Sequence, residues 1–179
     1  MAKAETPMEL YLLELGDMLW VERRLTEVLP QLAEQSSDVE LRDALEHHLQ
    51  QTRSHVTRVE EAFRALGHEP KAEPCPTMKG LDEEHEETIG KTAPALHDHV
   101  VLSSAAATEH YEISSYDGLI ETAKAMGHDE VVTLLTHNLE EEKQTLEHGQ
   151  EIMHRLAQHA AQVQAKEQKS LTDKLMPGR

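Results

Sequence analysis

Residues 102–126 read LSSAAATEHYEISSYDGLIETAKAM. Taken at alternating steps of three and four, they place Leu102, Ala105, Glu109, Glu112, Tyr116, Leu119, Ala123 and Met126 on one face. That spacing marks the buried stripe of an α-helix. This stripe is apolar at both ends and carries two carboxylates at its middle. Three other segments repeat the pattern. One runs Tyr11, Leu15, Met18, Glu22, Leu25, Leu29, Leu32. The next runs Leu41, Leu45, His48, Thr52, His55, Val59, Ala62, Leu66. The last runs Val131, Leu135, Asn138, Glu142, Thr145, Gly149, Ile152, Leu156. Four stripes of about 30 residues, each helix about 45 Å long, predict a helical bundle with one polar belt.

Turn and cap signals set the order. Thr6-Pro7-Met8-Glu9 reads as a capping box with proline in the first turn. It opens helix A, expected over about 7–35, with Pro30 kinking its last turns. Ser37 to Glu40 reads as a second capping box opening helix B at 38, and Gly67 closes it. Residues 68–94 hold four of the seven prolines and the acidic run LDEEHEE. They read as a long crossover with one short helix at about 77–89. Helix C follows Pro94 and ends at Gly127. Helix D starts near Asp129 and is expected to end near 160, leaving 161–179 as a polar, flexible tail. Short, long and short connections make A/B and C/D antiparallel hairpins and let B and C run parallel. The fold class is therefore all-α: a ferritin-like four-helix bundle over 1–160 with one long B–C crossover.

The polar positions agree in depth. Glu22 and Thr52 are each 15 residues from a turn at 37, and Glu112 and Glu142 are each 15 from a turn at 127. An offset of 90 relates the halves, so Glu22 matches Glu112 and Thr52 matches Glu142. His55 and Glu109 lie one helical turn further along. Ionised carboxylates in a dry core are very costly and must be protonated, paired or metal-bound. No Lys or Arg falls on the four stripes. Two divalent ions held by carboxylates and imidazole fit the count. Glu46, His47, Glu140 and Glu141 adjoin the stripes and are expected to face solvent. His97 and His99 are expected at the surface, and Trp20 at a helix or subunit contact.

Composition closes off other classes. With 17 Lys and Arg against 34 Asp and Glu, the net charge is −17. That repels phosphate backbones, so nucleic acid is not expected as a partner, whereas cations are. Aromatics are 3%, too few for a sandwich or barrel. One cysteine, Cys75, excludes an internal disulfide and a cysteine-based zinc or iron–sulfur site within one chain. No apolar run reaches membrane-spanning length. The opening MAKAETPMELYLLEL lacks a secretory pattern, so a soluble cytoplasmic chain is expected. No Gly-rich phosphate loop follows a strand.

The strings LYLLELGDMLWVERRLTEVLPQLA, HHLQQTRSHVTRVEEAF, CPTMKGL, ATEHYEISSYDGL and LEEEKQTLEHGQEI resemble the YciF-like stress proteins, a ferritin-like family. The resemblance covers about 8–158. It implies a ferritin-like bundle, often dimeric, with a dinuclear iron or manganese centre and an association with bacterial stress. Carried over position by position, it implies Glu22, His55, Glu109, Glu112 and Glu142 as metal ligands. The wider superfamily repeats one Glu and one Glu-x-x-His per half. Here Thr52 stands where the helix B Glu is expected, and Thr145 where the helix D His is expected. His48 or Gln51 would then fill in.

Three functions follow as expectations. The first is a dimetal oxidoreductase acting on O2, peroxide or Fe(II), with an unidentified electron donor and Tyr116 bonding a ligand or relaying an electron. The second is a metal-binding protein without turnover. The third is an interaction module with an incomplete site.

Overall fold

The computed structural model describes the backbone of residues 3–175, with side chains as far as 162 and at 164. Five α-helices, and no strand among the described residues, form the chain. They are α1 (Pro7–Gln35), α2 (Val39–Ala65), α3 (Pro76–Gly90), α4 (His97–Met126) and α5 (Asp129–Leu175), with a short 3₁₀ turn, Pro94–Leu96, before α4. Around the bundle the order is α1, α2, α5, α4. α3 is the crossover helix and packs on α4.

The helix ends follow their caps. Thr6 Oγ1 accepts from the Glu9 N–H at 3.2 Å, and Glu9 Oε2 accepts from the Thr6 N–H at 3.0 Å, closing the expected box. α2 starts differently. Asp38 is its cap and accepts from the Leu41 N–H at 3.1 Å. Ser37 is freed from capping and bonds Asp98 of α4 instead, at 2.8 Å through its N–H and 2.9 Å through its hydroxyl. A carboxylate at the cap serves the helix amides better than a serine one residue earlier. Gly67 and Gly127 take φ values of 78° and 77° just beyond α2 and α4, the left-handed turn that ends a helix without Cβ strain. Pro30 lies inside α1, which continues to Gln35. α5 runs past the expected end near 160 to Leu175. The stretch AAQVQAKEQK at 160–169 contains mostly strong helix formers. The flexible-tail expectation for 161–179 falls mostly on residues outside the described side chains.

The four stripes are the buried faces. Two apolar clusters form, one at each end. The first gathers Tyr11, Leu15, Met18, Val59, Leu119 and Leu135. The second gathers Leu25, Leu29, Leu45, Leu102 and Ile152. Leu45 and Leu102, near the starts of α2 and α4, share the second cluster, so these helices run parallel. Cys75 and Met78 of the crossover close that end. His85, in the middle of the acidic run, is buried between Ser104 Oγ and Gln35 Oε1, each 2.9 Å away. It pins α3 to α1 and α4, while Glu83, Glu84, Glu86 and Glu87 of the same run stay exposed. Arg24 adds a 2.8 Å ion pair to Asp82. Trp20 is half-buried against the second cluster, with Lys79 over its ring.

The crossover also makes one close backbone approach. The Glu73 N–H donates to the Gly16 carbonyl at 2.9 Å. A Cβ at Gly16 would lie 2.7 Å from the Lys71 carbonyl oxygen. Only glycine lets the returning chain reach α1 there.

Candidate metal centre

Between the two apolar clusters, the belt brings together Glu22 of α1, His48 and His55 of α2, Glu109 and Glu112 of α4, and Glu142 of α5. All six are buried, Glu22, His55, Glu112 and Glu142 completely so. Their ligand atoms fall into two groups, each with atoms within 4.8 Å of one another. One group is Glu22, His55 and Glu142. The other is His48, Glu109, Glu112 and Glu142. Glu142 belongs to both. The two imidazole rings stand 6.3 Å apart, tilted by 66°, one toward each group.

Six residues supply eight buried ligand atoms without hydrogen-bond partners: Glu22 Oε2, His48 Nε2, His55 Nδ1, Glu109 Oε2 and both oxygens of Glu112 and Glu142. Buried polar atoms are nearly always satisfied, so this concentration of bare donors has the chemistry of a cation site. The belt atoms meet one another, His55 Nδ1 lying 2.7 Å from Glu142 Oε1, and find no hydrogen-bond partner outside the belt.

The electrostatics say the same. Burial drives the Glu112 carboxyl well above its ordinary range, and Glu142, Glu22 and Glu109 push it the same way. Glu109 is raised to about 7, first by burial, and so is Glu142. Burial also raises Glu22, against the pull of His55. For His55, burial lowers the imidazole, but Glu22 and Glu142 outweigh it and raise it to about 11. Without a cation the belt must therefore share protons among its carboxyls and His55.

The neighbouring residues orient the belt side chains. His55 Nε2 lies 2.8 Å from Glu141 Oε2, and Glu141 is held by Arg58 at 2.8 and 3.3 Å. A carboxylate held by arginine keeps the Nε2 proton outward, so Nδ1, 2.7 Å from Glu142 Oε1, is the nitrogen that faces the belt and could meet an ion once it gives up its proton. Burial opposes ionisation of Glu141, yet the Arg58 and His55 bonds hold its carboxyl below the usual range. Glu141 was expected to face solvent. It is half-buried, because it lies beside the stripe at the gap between α2 and α5, where α2 presents Arg58.

His48 is placed in the same way. Its Nδ1 lies 3.2 Å from Thr145 Oγ1, and Thr145 donates onward to the Glu141 carbonyl at 3.1 Å. His48 Nε2 points inward, 3.2 Å from Glu109 and 3.7 Å from Glu142. Thr145, standing where a helix D histidine was expected, thus positions a histidine of α2 in the belt. Thr52, standing where a glutamate was expected, donates back to the His48 carbonyl at 2.9 Å. Gln51 meets the belt only through Thr145, at 3.5 Å.

Tyr116 is fully buried. Its hydroxyl donates to Glu22 Oε1 and accepts from Asn138 Nδ2 at 2.9 Å, and Arg58 in turn donates to Asn138 Oδ1 at 2.9 Å. Burial raises the phenol well above its ordinary range, so Tyr116 keeps its proton and steadies Glu22. Tyr111 points away from the belt, to Cys75 Sγ at 3.1 Å. Three residues that orient the belt side chains, Glu141, Arg58 and Asn138, were not singled out for this role from the sequence. Asn138, on its stripe beside Glu142, was the one readable signal.

Residues 6–167 match the family model described as "Domain of unknown function (DUF892)". The chain belongs to the DUF892 family. Among relatives, it is 34% identical over 133 residues to Protein YciF of Escherichia coli K12, covering 73% of this chain and 80% of YciF. The solved structure of the E. coli stress protein YciF superimposes with a TM-score of 0.79 at 30% identity, covering 84% of this chain and 96% of that one. YcfI of Rhodopseudomonas palustris gives 0.80 at 36% identity, covering 82% and 94%. The resemblance drawn from the sequence strings is thereby established, and so is the helical bundle. Among the described residues, no helix is long and apolar enough to cross a membrane.

In this DUF892 chain the orienting carboxylate is open to a direct test. Glu141→Ala should weaken metal uptake about 10–100-fold, as loss of a ligand-orienting partner does elsewhere. Titration with Fe(II) or Mn(II) under anaerobic conditions reads this. Unchanged affinity would mean that Glu141 serves only the fold.

Proposed function

We propose that the protein holds two divalent ions, iron or manganese, and performs non-haem redox chemistry with peroxide or O2 as part of a bacterial stress response. One observation carries the reading: eight nitrogen and oxygen atoms on six buried residues face one another and find no hydrogen-bond partner outside the belt. The charge balance supports it. Four carboxylates with two neutral imidazoles cancel two divalent cations, and no other arrangement of those ligands leaves the core neutral without protons. Glu22 and His55 would hold one ion, His48, Glu109 and Glu112 the other, with Glu142 between them. Oxygen and imidazole donors suit iron and manganese, and such a pair supplies two-electron exchange with O2 or peroxide when bound. The chain's own part is to bind and orient. Glu141 and Thr145 aim the two imidazoles, Tyr116 keeps Glu22 in place, and the two apolar clusters exclude bulk water above and below.

The stress setting comes from E. coli YciF, which is described as a stress protein. A homodimer, a cytoplasmic location and an unidentified electron donor belong to the same reading. The test is elemental analysis of untagged protein from cells supplied with iron and manganese, followed by peroxide consumption with a chemical reductant. Close to two ions per chain with turnover is expected. Two ions without turnover would make the protein a metal-binding bundle. No metal after anaerobic reloading would overturn the reading and favour an interaction module.

A further inference from the structure

A cavity of about 320 Å³ opens between α2, α4 and α5. Its walls are mostly apolar: Leu45, Leu102 and Ile152 give bulk, while Ala105, Ala106 and Gly149 leave room. Its inner end reaches His48 and Glu109, and His47 and His148 stand among its lining. Glu22, His55 and Glu112 do not line it. The cavity therefore meets only one of the two ligand groups. On the other side, the Glu141–Arg58–Asn138 network covers His55.

Size and lining define what fits. Dioxygen or hydrogen peroxide, each of roughly the 30 Å³ scale of a water, would leave most of this volume unused. The volume is at the lower end of pockets that take small organic molecules. Neither Lys nor Arg lines it, and the ion expected at its inner end is already balanced by carboxylates, so an anion finds no surplus positive charge there. A cationic group would compete with the metal ion expected at the inner end. The remaining class is a neutral, mostly apolar molecule with one oxygen-bearing head.

We propose that this cavity binds a small neutral organic alcohol or hydroperoxide, its apolar body on the α2–α4–α5 wall and its head toward His48 and Glu109. The placement of the head rests on the metal reading above; the binding of the body does not. One residue makes the test clean. A Cβ built at Gly149 meets no atom within 4 Å, so a side chain there enters open space without disturbing the helix. Gly149→Leu fills the cavity and should fold at least as well as the wild type, since leucine favours helix over glycine.

The probe is cumyl alcohol, titrated calorimetrically into metal-free and metal-loaded protein, with elemental analysis of each sample. Wild type should bind one equivalent in both forms. Gly149→Leu should lose at least about tenfold in affinity while keeping the wild-type metal content and helicity. Ala106→Leu, on the opposite wall, should repeat the loss. Absence of binding to wild type, or equal binding to Gly149→Leu, would overturn the proposal even if two ions load. Binding that Gly149→Leu abolishes, in a protein that takes up no metal, would support the cavity and overturn the metal reading instead.

Discussion

Glu112→Gln should lose the ion held with His48, Glu109 and Glu142, and should at the same time raise the melting temperature of the metal-free protein. The two effects have one cause. Glu112 is completely buried, both its oxygens lack partners, and each influence on its carboxyl raises the cost of ionisation. At pH 8 the wild-type fold must carry either that charge or a proton. Against an ordinary carboxyl near 4.5, holding the proton costs up to about 5 kcal/mol at about 1.4 kcal/mol per pH unit. A glutamine of the same shape avoids it and can donate to the neighbouring carboxylates. Part of the gain is lost to relaxation, so a rise of roughly 5–10 °C is expected, at 2–4 °C per kcal/mol for a chain of this size. Calorimetry of metal-free protein measures the rise in melting temperature, and elemental analysis measures the loss of the ion. An ordinary core residue behaves in the opposite way, with replacement lowering stability and leaving ions untouched. A variant that melts below the wild type and keeps two ions would place Glu112 in that ordinary class. Glu142→Gln, which removes the carboxylate common to both groups, should remove both ions.

The second large effect is a pH dependence whose sign reverses with metal. Glu109 and Glu142 move from 4.5 to about 7 on folding. Groups raised in this way stabilise the fold fully below about 4.5, and that contribution is lost as pH rises through about 7. His55 moves from 6.5 to about 11, so its contribution is complete below 6.5 and fades toward 11. All three make the metal-free protein less stable at pH 8 than at pH 5. The metal-loaded protein runs the other way. Ion binding needs ionised carboxyls and a neutral imidazole, so affinity climbs over the same interval and stabilises by mass action. The increase in melting temperature caused by Mn(II) or Fe(II) should be near zero at pH 5 and at least about 10 °C at pH 8, for ion well above its dissociation constant. Melting curves at the two pH values with and without ion decide it. A metal-induced shift equal at both would exclude these six residues as the ligands.

Much of this architecture could be read along the chain. Helical periodicity assigns each residue an angle on its own helix, and distance from a turn assigns it a depth. Those two coordinates were enough to place Glu22, Glu109, Glu112, Glu142 and His55 in one belt between apolar ends, and Gly67 and Gly127 at the helix stops. The resemblance to a ferritin-like family added the bundle's identity. What neither coordinate contains is how far each helix is rotated against its neighbours and which way a side chain leans. His48 sits a full turn from Thr52 on the same stripe, and only the packing of α2 on α5 sets its ring against Thr145 rather than in a hydrogen-bonded core. Glu141, Arg58 and Asn138 meet across the same gap, 80 or more residues apart in sequence for each pair that joins α2 to α5. Nothing in the acidic run LDEEHEE marks His85 as buried, and only the packing of α3 against α1 and α4 makes it so. The cavity beside Gly149 is likewise a property of three helices at once. Local sequence patterns determined which residues are buried and at what height, because those follow from a single helix and its turns. Ligand partners, the residues that orient them and the empty space beside them depend on distances between helices, and only the tertiary structure decided those.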